Sequence, residues 1–203
     1  MVSYGPGVLM FGGRYSDSVE YLLNGTTQLL GGKVPNFDLS CSTVTSRNTV
    51  IFTGGLNSPT STWEFDIMTG AWFRLPHVPG GGRYAHACSF VNRDGLHGVL
   101  IAGGTNGRRL QSSSFFYNIG TRTWSQLHHL PQPRWGPKMA NVDGDTYLLG
   151  GGDGHNFVPT VLKFDFSDLS WRETGQNLQY PRVDFSIVVL QSVCTNASLP
   201  LVP

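Results

Sequence analysis

Val50-Ile51-Phe52-Thr53-Gly54-Gly55 is an apolar run ending on two glycines, and it recurs along the chain. It stands again as Val8-Leu9-Met10-Phe11-Gly12-Gly13, as Val99-Leu100-Ile101-Ala102-Gly103-Gly104 and as Thr146-Tyr147-Leu148-Leu149-Gly150-Gly151. The first glycines lie 42, 49 and 47 residues apart (12 to 54, 54 to 103, 103 to 150). A period in this range signals a repeat architecture. Residues that recur within it read as structural, so activity is sought in those that do not.

Each Gly pair is followed by a variable loop and a short alternating strand: Val19 to Leu22, Trp63 to Asp66, Phe115 to Asn118 and Leu162 to Asp165. A tryptophan stands six residues beyond three of these strands (66 to 72, 118 to 124, 165 to 171), namely Trp72, Trp124 and Trp171. Leu75-Pro76 and Leu130-Pro131 come next, and an arginine (Arg83, Arg134, Arg182) opens the following strand. Turns such as Asp94-Gly95 and Asp143-Gly144 then lead into the next apolar run, a strong hairpin signal. The unit is therefore four short strands, a to d, with the Gly pair ending b and the Trp on d. No stretch keeps the 3.6-residue apolar period of a helix. Four-stranded units in radial repetition make an all-β propeller of four recognisable blades. The glycines suit a sharp backbone turn without a Cβ, and the indole suits the wedge between twisted sheets.

These spaced residues resemble the kelch repeat. The matching sets are Gly54-Gly55, Phe65-Asp66, Trp72 and Arg83; Gly103-Gly104, Tyr117-Asn118, Trp124 and Arg134; and Gly150-Gly151, Phe164-Asp165, Trp171 and Arg182. The first unit departs from the pattern, with Gln28 at the Trp place, Leu22 at the Asp place and Asn36 at the Arg place. The resemblance implies a propeller over residues 1–192, with units at about 7–35, 36–80, 81–133 and 134–192 and a tail over 193–203. Strand a of the first blade is expected from 183–190, which would close a four-blade ring; the alternative is an arc of a larger propeller.

The 203 residues suffice for one substantial core. A formal net charge of +1 offers no surplus to attract nucleic acid or an anionic membrane. The longest apolar runs, such as Ile187 to Leu190, are far too short to span a bilayer. The N-terminus shows no secretory signal pattern. Three cysteines do not make a disulfide framework. Cys41 and Cys88 hold matching places, filled later by Met139 and Ile187, and read as reduced thiols in an apolar slot. That reading leans toward the cytoplasm; the sequons at Asn24 and Asn196 lean toward the exterior.

In a propeller the b–c and d–a loops share one face, and here they are the longer and more varied ones. Arg14, Tyr84, Arg108, Arg109, Trp135, His155 and Asn156 are the candidate partner-binding residues on that face, because Arg and aromatic side chains are the usual interface anchors. Gly12, Gly13, the other Gly pairs, the three tryptophans and the three arginines are expected to be structural. No nucleophile elbow, phosphate cradle or metal-ligand spacing is present, so no catalytic residue, metal or cofactor is expected. The function expected is a non-catalytic interaction module with protein partners. The alternative, implied by kelch-like propellers that resemble galactose oxidase and sialic-acid mutarotases, is a carbohydrate-active enzyme. Its copper form needs a Tyr/His/Cys cluster, and Tyr84 and Cys88 lie on one side of a strand without touching.

Overall fold

A computed structural model of the chain describes residues 2–13, 16–30, 33–35 and 38–189. It consists of four antiparallel sheets of four strands each, in chain order. The first holds β1 (Val2–Tyr4), β2 (Gly7–Gly13), β3 (Ser16–Leu23) and β4 (Thr26–Leu29). The second holds β5 (Cys41–Val44), β6 (Thr49–Thr53), β7 (Thr62–Asp66) and β8 (Trp72–Leu75). The third holds β9 (Ala87–Arg93), β10 (Leu96–Ala102), β11 (Ser114–Asn118) and β12 (Thr123–Gln126). The fourth holds β13 (Lys138–Val142), β14 (Asp145–Leu149), β15 (Thr160–Asp165) and β16 (Ser170–Asn177).

Three apolar cores lie between neighbouring sheets. Leu9 and Val19 of the first sheet pack with Val50, Phe52 and Phe65 of the second. Ile51 and Leu75 of the second pack with Val99, Ile101 and Phe115 of the third. Leu100 and Phe116 of the third pack with Leu148, Leu162, Phe164 and Trp171 of the fourth. Period-2 alternation explains this, since successive strand residues serve opposite joints. The tryptophans fill the wedges. Trp171 is 5% exposed and donates to Ser114 Oγ of the preceding sheet, and Trp124 Nε1 donates to the Pro76 carbonyl. Trp72 packs 4.8 Å from Phe65 and 5.5 Å from Phe52, centroid to centroid.

Among the described residues no such core joins the fourth sheet to the first. The described blades form an arc rather than a four-blade ring. The strand expected from 183–190 is corrected. Val2–Tyr4 supplies β1, and residues 183–189 form no strand. The turn Gly5-Pro6 lets β1 fold directly back on β2, so the local hairpin takes the place assigned to the distant segment. The first sheet thus begins at Val2, ahead of residue 7.

The wedge position of the first unit is also corrected. Leu22 pairs with Val8 as Phe65 pairs with Val50, so it holds the place of Phe65 rather than of Asp66, and its partner Thr27, not Gln28, stands at the Trp place. Asn24 and Gly25 make a two-residue hairpin turn, both at positive φ, where the other units use longer turns. Asn36 lies outside the described residues, as do Cys194 and Asn196.

The reduced-thiol reading of Cys41 and Cys88 is overturned. The two form a disulfide, with Cα atoms 5.9 Å apart, that ties β5 to β9. Matching places in neighbouring inner strands face each other across a joint, which is why the pair can bond. The leaning toward the cytoplasm that rested on free thiols falls with it.

Candidate functional site

The arginines precede strand a instead of opening it, because each turns back into the joint. Arg83 is 0% exposed, and its Nη1 donates to the carbonyls of Gly103 (3.0 Å) and Ser113 (2.9 Å) while its Nη2 donates to Ser113 Oγ. Arg134, 1% exposed, repeats this with Gly150 and Thr160. Burial lowers the pKa of both guanidiniums to about 10. Their main chains face the preceding sheet, whose Gly55 and Gly104 amides donate to the carbonyls of Arg83 and Arg134. A Cβ on Gly54 would come within 2.1 Å of the Arg83 carbonyl oxygen, so only glycine fits. Ser113 and Thr160 were missed as partners of the arginines. Their signal is position, ten residues after Gly103 and Gly150 (103 to 113, 150 to 160).

Arg182 departs from this scheme. Its carbonyl accepts from Gly151, but its guanidinium side is exposed and bonds only locally, Nε to the Tyr180 carbonyl.

Immediately after Arg83 and Arg134 the chain meets the b–c loop. Tyr84 exchanges two main-chain hydrogen bonds with Thr105 (2.9 and 3.0 Å), and Trp135 does the same with Gly152 (2.9 and 2.8 Å). Thr105 bridges in turn to Leu110, and Gly152 to Phe157. Each loop then closes on an Asx-type turn. Asn106 Oδ1 accepts from the amides of Arg108 and Arg109, and Asp153 Oδ1 accepts from those of His155 and Asn156. The Asn156 and His155 amides hold the Asp153 carboxyl below its ordinary pKa. The two loops are thus one turn built twice, with different side chains at the tip.

Arg108, Arg109, His155 and Asn156 are exposed at these tips, while Tyr84 and Trp135 are half-buried at their base. Leu110 of one loop lies against Gly154 of the next, at 3.4 Å from where a Cβ would sit. Four of the seven candidate residues therefore fall on two adjacent loops, and Tyr84 and Trp135 pair with the bases of those loops. The seventh, Arg14, lies outside the described residues. β3 starts at Ser16, ahead of the strand expected from Val19. Phe157, 57% exposed beside His155, was missed as part of this surface, although its place matches Leu110.

His86 stands just before β9. It is 3% exposed and bonds Thr53 through Nε2 at 2.7 Å. Burial, then the charges of Arg83 and Lys138, push its pKa well below the ordinary value. Cys88, the thiol that a copper-type cluster would need, is held in the disulfide. No helix among the described residues is long and apolar enough to cross a membrane.

A family model described as the Kelch motif matches residues 133–175. Kelch-like protein 24 of Homo sapiens is 32% identical over 113 residues, covering 55% of this chain and 17% of that protein. An F-box/kelch-repeat protein of Arabidopsis thaliana is 32% identical over 99 residues, covering 48% of this chain and 25% of it. F-box protein AFR of Arabidopsis thaliana is 27% identical over 147 residues, 68% of this chain and 38% of it. The chain therefore spans well under half the length of these relatives. The solved structure of YjhT shares the fold, with a TM-score of 0.64 at 19% identity over 76% of this chain and 56% of that one.

Proposed function

This chain is a kelch-repeat protein, and from that premise we propose that it is a non-catalytic protein-interaction module that takes its partners on the b–c and d–a loop face. The observation that carries the reading is the doubled turn. Two neighbouring loops are each locked by main-chain bonds to Tyr84 or Trp135 and by an internal Asx cap, and they present different side chains from one rigid base. A surface ordered before binding loses little entropy on association. Arg108 and Arg109 supply charged donors, Phe157 and Trp135 supply apolar anchors, and His155 and Asn156 supply polar contacts. The kelch-repeat relatives, two of them named as F-box proteins, support a recognition role.

Affinity capture from cell extract, with the partners identified by mass spectrometry, tests this. The R108A/R109A double variant is expected to lose partners that the wild-type chain captures. Retention of every partner at unchanged affinity would overturn the assignment of this face.

A further inference from the structure

The first unit makes its c–d turn differently from the other three, and the difference leaves a carboxamide unused. In the second, third and fourth sheets an Asp or Asn ending strand c closes the turn with its own side chain. Asp66 Oδ1 accepts from the Met68 and Thr69 amides, Asn118 Oδ1 from Thr121, and Asp165 Oδ1 from Ser167. In the first sheet β3 passes into β4 through Asn24 and Gly25 alone, and the pairing of Leu23 with Thr26 closes the turn. Asn24 takes the corner at a φ of 50°, a conformation in which Asn is several-fold enriched. Its carboxamide makes no hydrogen bond among the described residues.

Asn24, Gly25 and Thr26 are all exposed, and a Cβ on Gly25 would meet nothing within 4 Å. This exposure belongs to the turn and not to the end of the arc. The second and third sheets have neighbours on both sides, yet their c–d turns are exposed as well, Met68 at 76% and Thr121 and Arg122 with it. Asn24-Gly25-Thr26 has the Asn-x-Thr form that accepts an N-linked oligosaccharide. By itself such a triplet is a common coincidence. The Cys41–Cys88 disulfide is a second, independent observation. Disulfides form and persist in the ER lumen, at cell surfaces and outside cells, the setting in which the triplet is used.

We propose that this chain folds in an oxidising secretory compartment and carries an N-linked oligosaccharide on Asn24. The donor is an oligosaccharide held through its anomeric carbon on a polyisoprenyl diphosphate. Asn24 Nδ2 forms the bond to that carbon and gives up one proton. The bond from the carbon to the diphosphate oxygen breaks, and the lipid diphosphate leaves with the electron pair. Thr26 supplies the hydroxyl that completes the acceptor triplet. Antiparallel strands put the c–d turns on the face opposite the b–c loops, so the glycan leaves Arg108, Arg109, His155 and Asn156 uncovered. None of the residues used lies on those loops, so this inference and the proposed function fail independently.

Peptide mapping of the protein from its own source tests it, after release with peptide-N-glycosidase in heavy-oxygen water. Asn24 is expected to become an aspartate bearing heavy oxygen, with a mass loss of about 2 kDa for the released glycan. In the full chain directed to secretion from eukaryotic cells, N24Q and T26A are each expected to lose one such increment. T26S is expected to keep it, because Ser also completes the triplet. N196Q, at the other triplet, is expected to leave the Asn24 label in place. An unlabelled Asn24 in the source protein overturns the proposal, as do Cys41 and Cys88 found there as free thiols. A secreted chain whose mass N24Q and T26A leave unshifted overturns it equally.

Discussion

The guanidinium of Arg134 donates to the carbonyl of Gly150 across 3.1 Å, from a side chain only 1% exposed. Its own carbonyl takes the Gly104 amide of the preceding sheet at 2.8 Å. One residue thus bonds within its own blade through the side chain and to its neighbour through the backbone. This explains why an arginine recurs at the same place in two successive units, and why Arg83 and Arg134 serve the scaffold.

Truncating that bridge separates buried from exposed arginines. R134A leaves the Gly150 and Thr160 acceptors unpaired in a closed space and is expected to lower stability by about 3 kcal/mol. R182A, at an exposed position, is expected to change it by less than about 0.5 kcal/mol. Urea unfolding of both variants checks this; equal losses would show that burial is not what matters.

Gly54 and Gly25 offer a second contrast. Both adopt positive φ, but a Cβ on Gly54 would meet the Arg83 carbonyl, whereas nothing lies within 4 Å of one on Gly25. G25A is expected to lose only the conformational preference, about 1 kcal/mol. G54A adds a backbone clash and is expected to lose at least about 3 kcal/mol or fail to fold. Thermal melts of the pair compare them directly.

The Cys41–Cys88 bond closes a separation of 47 residues across the second joint. On the chain-entropy argument, a loop of that size contributes about 4 kcal/mol. Reduction with dithiothreitol, or the C41S/C88S variant, is expected to lower the unfolding midpoint, while non-reducing peptide mapping shows the cross-link in the untreated chain. A map with both thiols free would remove the staple.

His86 gives the fold a pH dependence of predictable sign. Its folded pKa lies well below 6.5, so as pH falls below 6.5 the unfolded chain gains a proton that the folded chain does not. Stability therefore drops on acidification, from this group by up to about 1.4 kcal/mol per pH unit until the folded pKa is reached. H86Q is expected to flatten the profile below about pH 6.5 relative to wild type. Parallel slopes for the two proteins would assign the acid sensitivity elsewhere.

The glycines, tryptophans and arginines were legible because each recurs at a nearly fixed interval, and their roles follow from needs that recur with each blade. What the sequence concealed depends on geometry that spacing does not carry. Gln28 was read one place too late because a two-residue turn replaced a longer one. Cys41 and Cys88 are distant in the chain and meet only once their strands lie side by side. Val2–Tyr4 is too short a run to stand out as a strand. The two b–c loops share a conformation, yet only the glycine stands in both turns: Asn106-Gly107-Arg108-Arg109 against Asp153-Gly154-His155-Asn156. Asn and Asp side chains close the same turn, and letter-by-letter comparison does not register that equivalence.

At the centre of the arc, Ala85 donates its amide to Leu39, Gly136 to Ala85, and Asp184 to Gly136. All four residues have positive φ, and no side chain takes part. A hub assembled from peptide groups asks for a left-handed backbone rather than for a particular side chain, and aliphatic, small and acidic residues all occupy it. Spokes can therefore be lengthened, shortened or given new ornaments while the axle keeps its pitch, which lets the outward lettering diversify without the wheel being rebuilt.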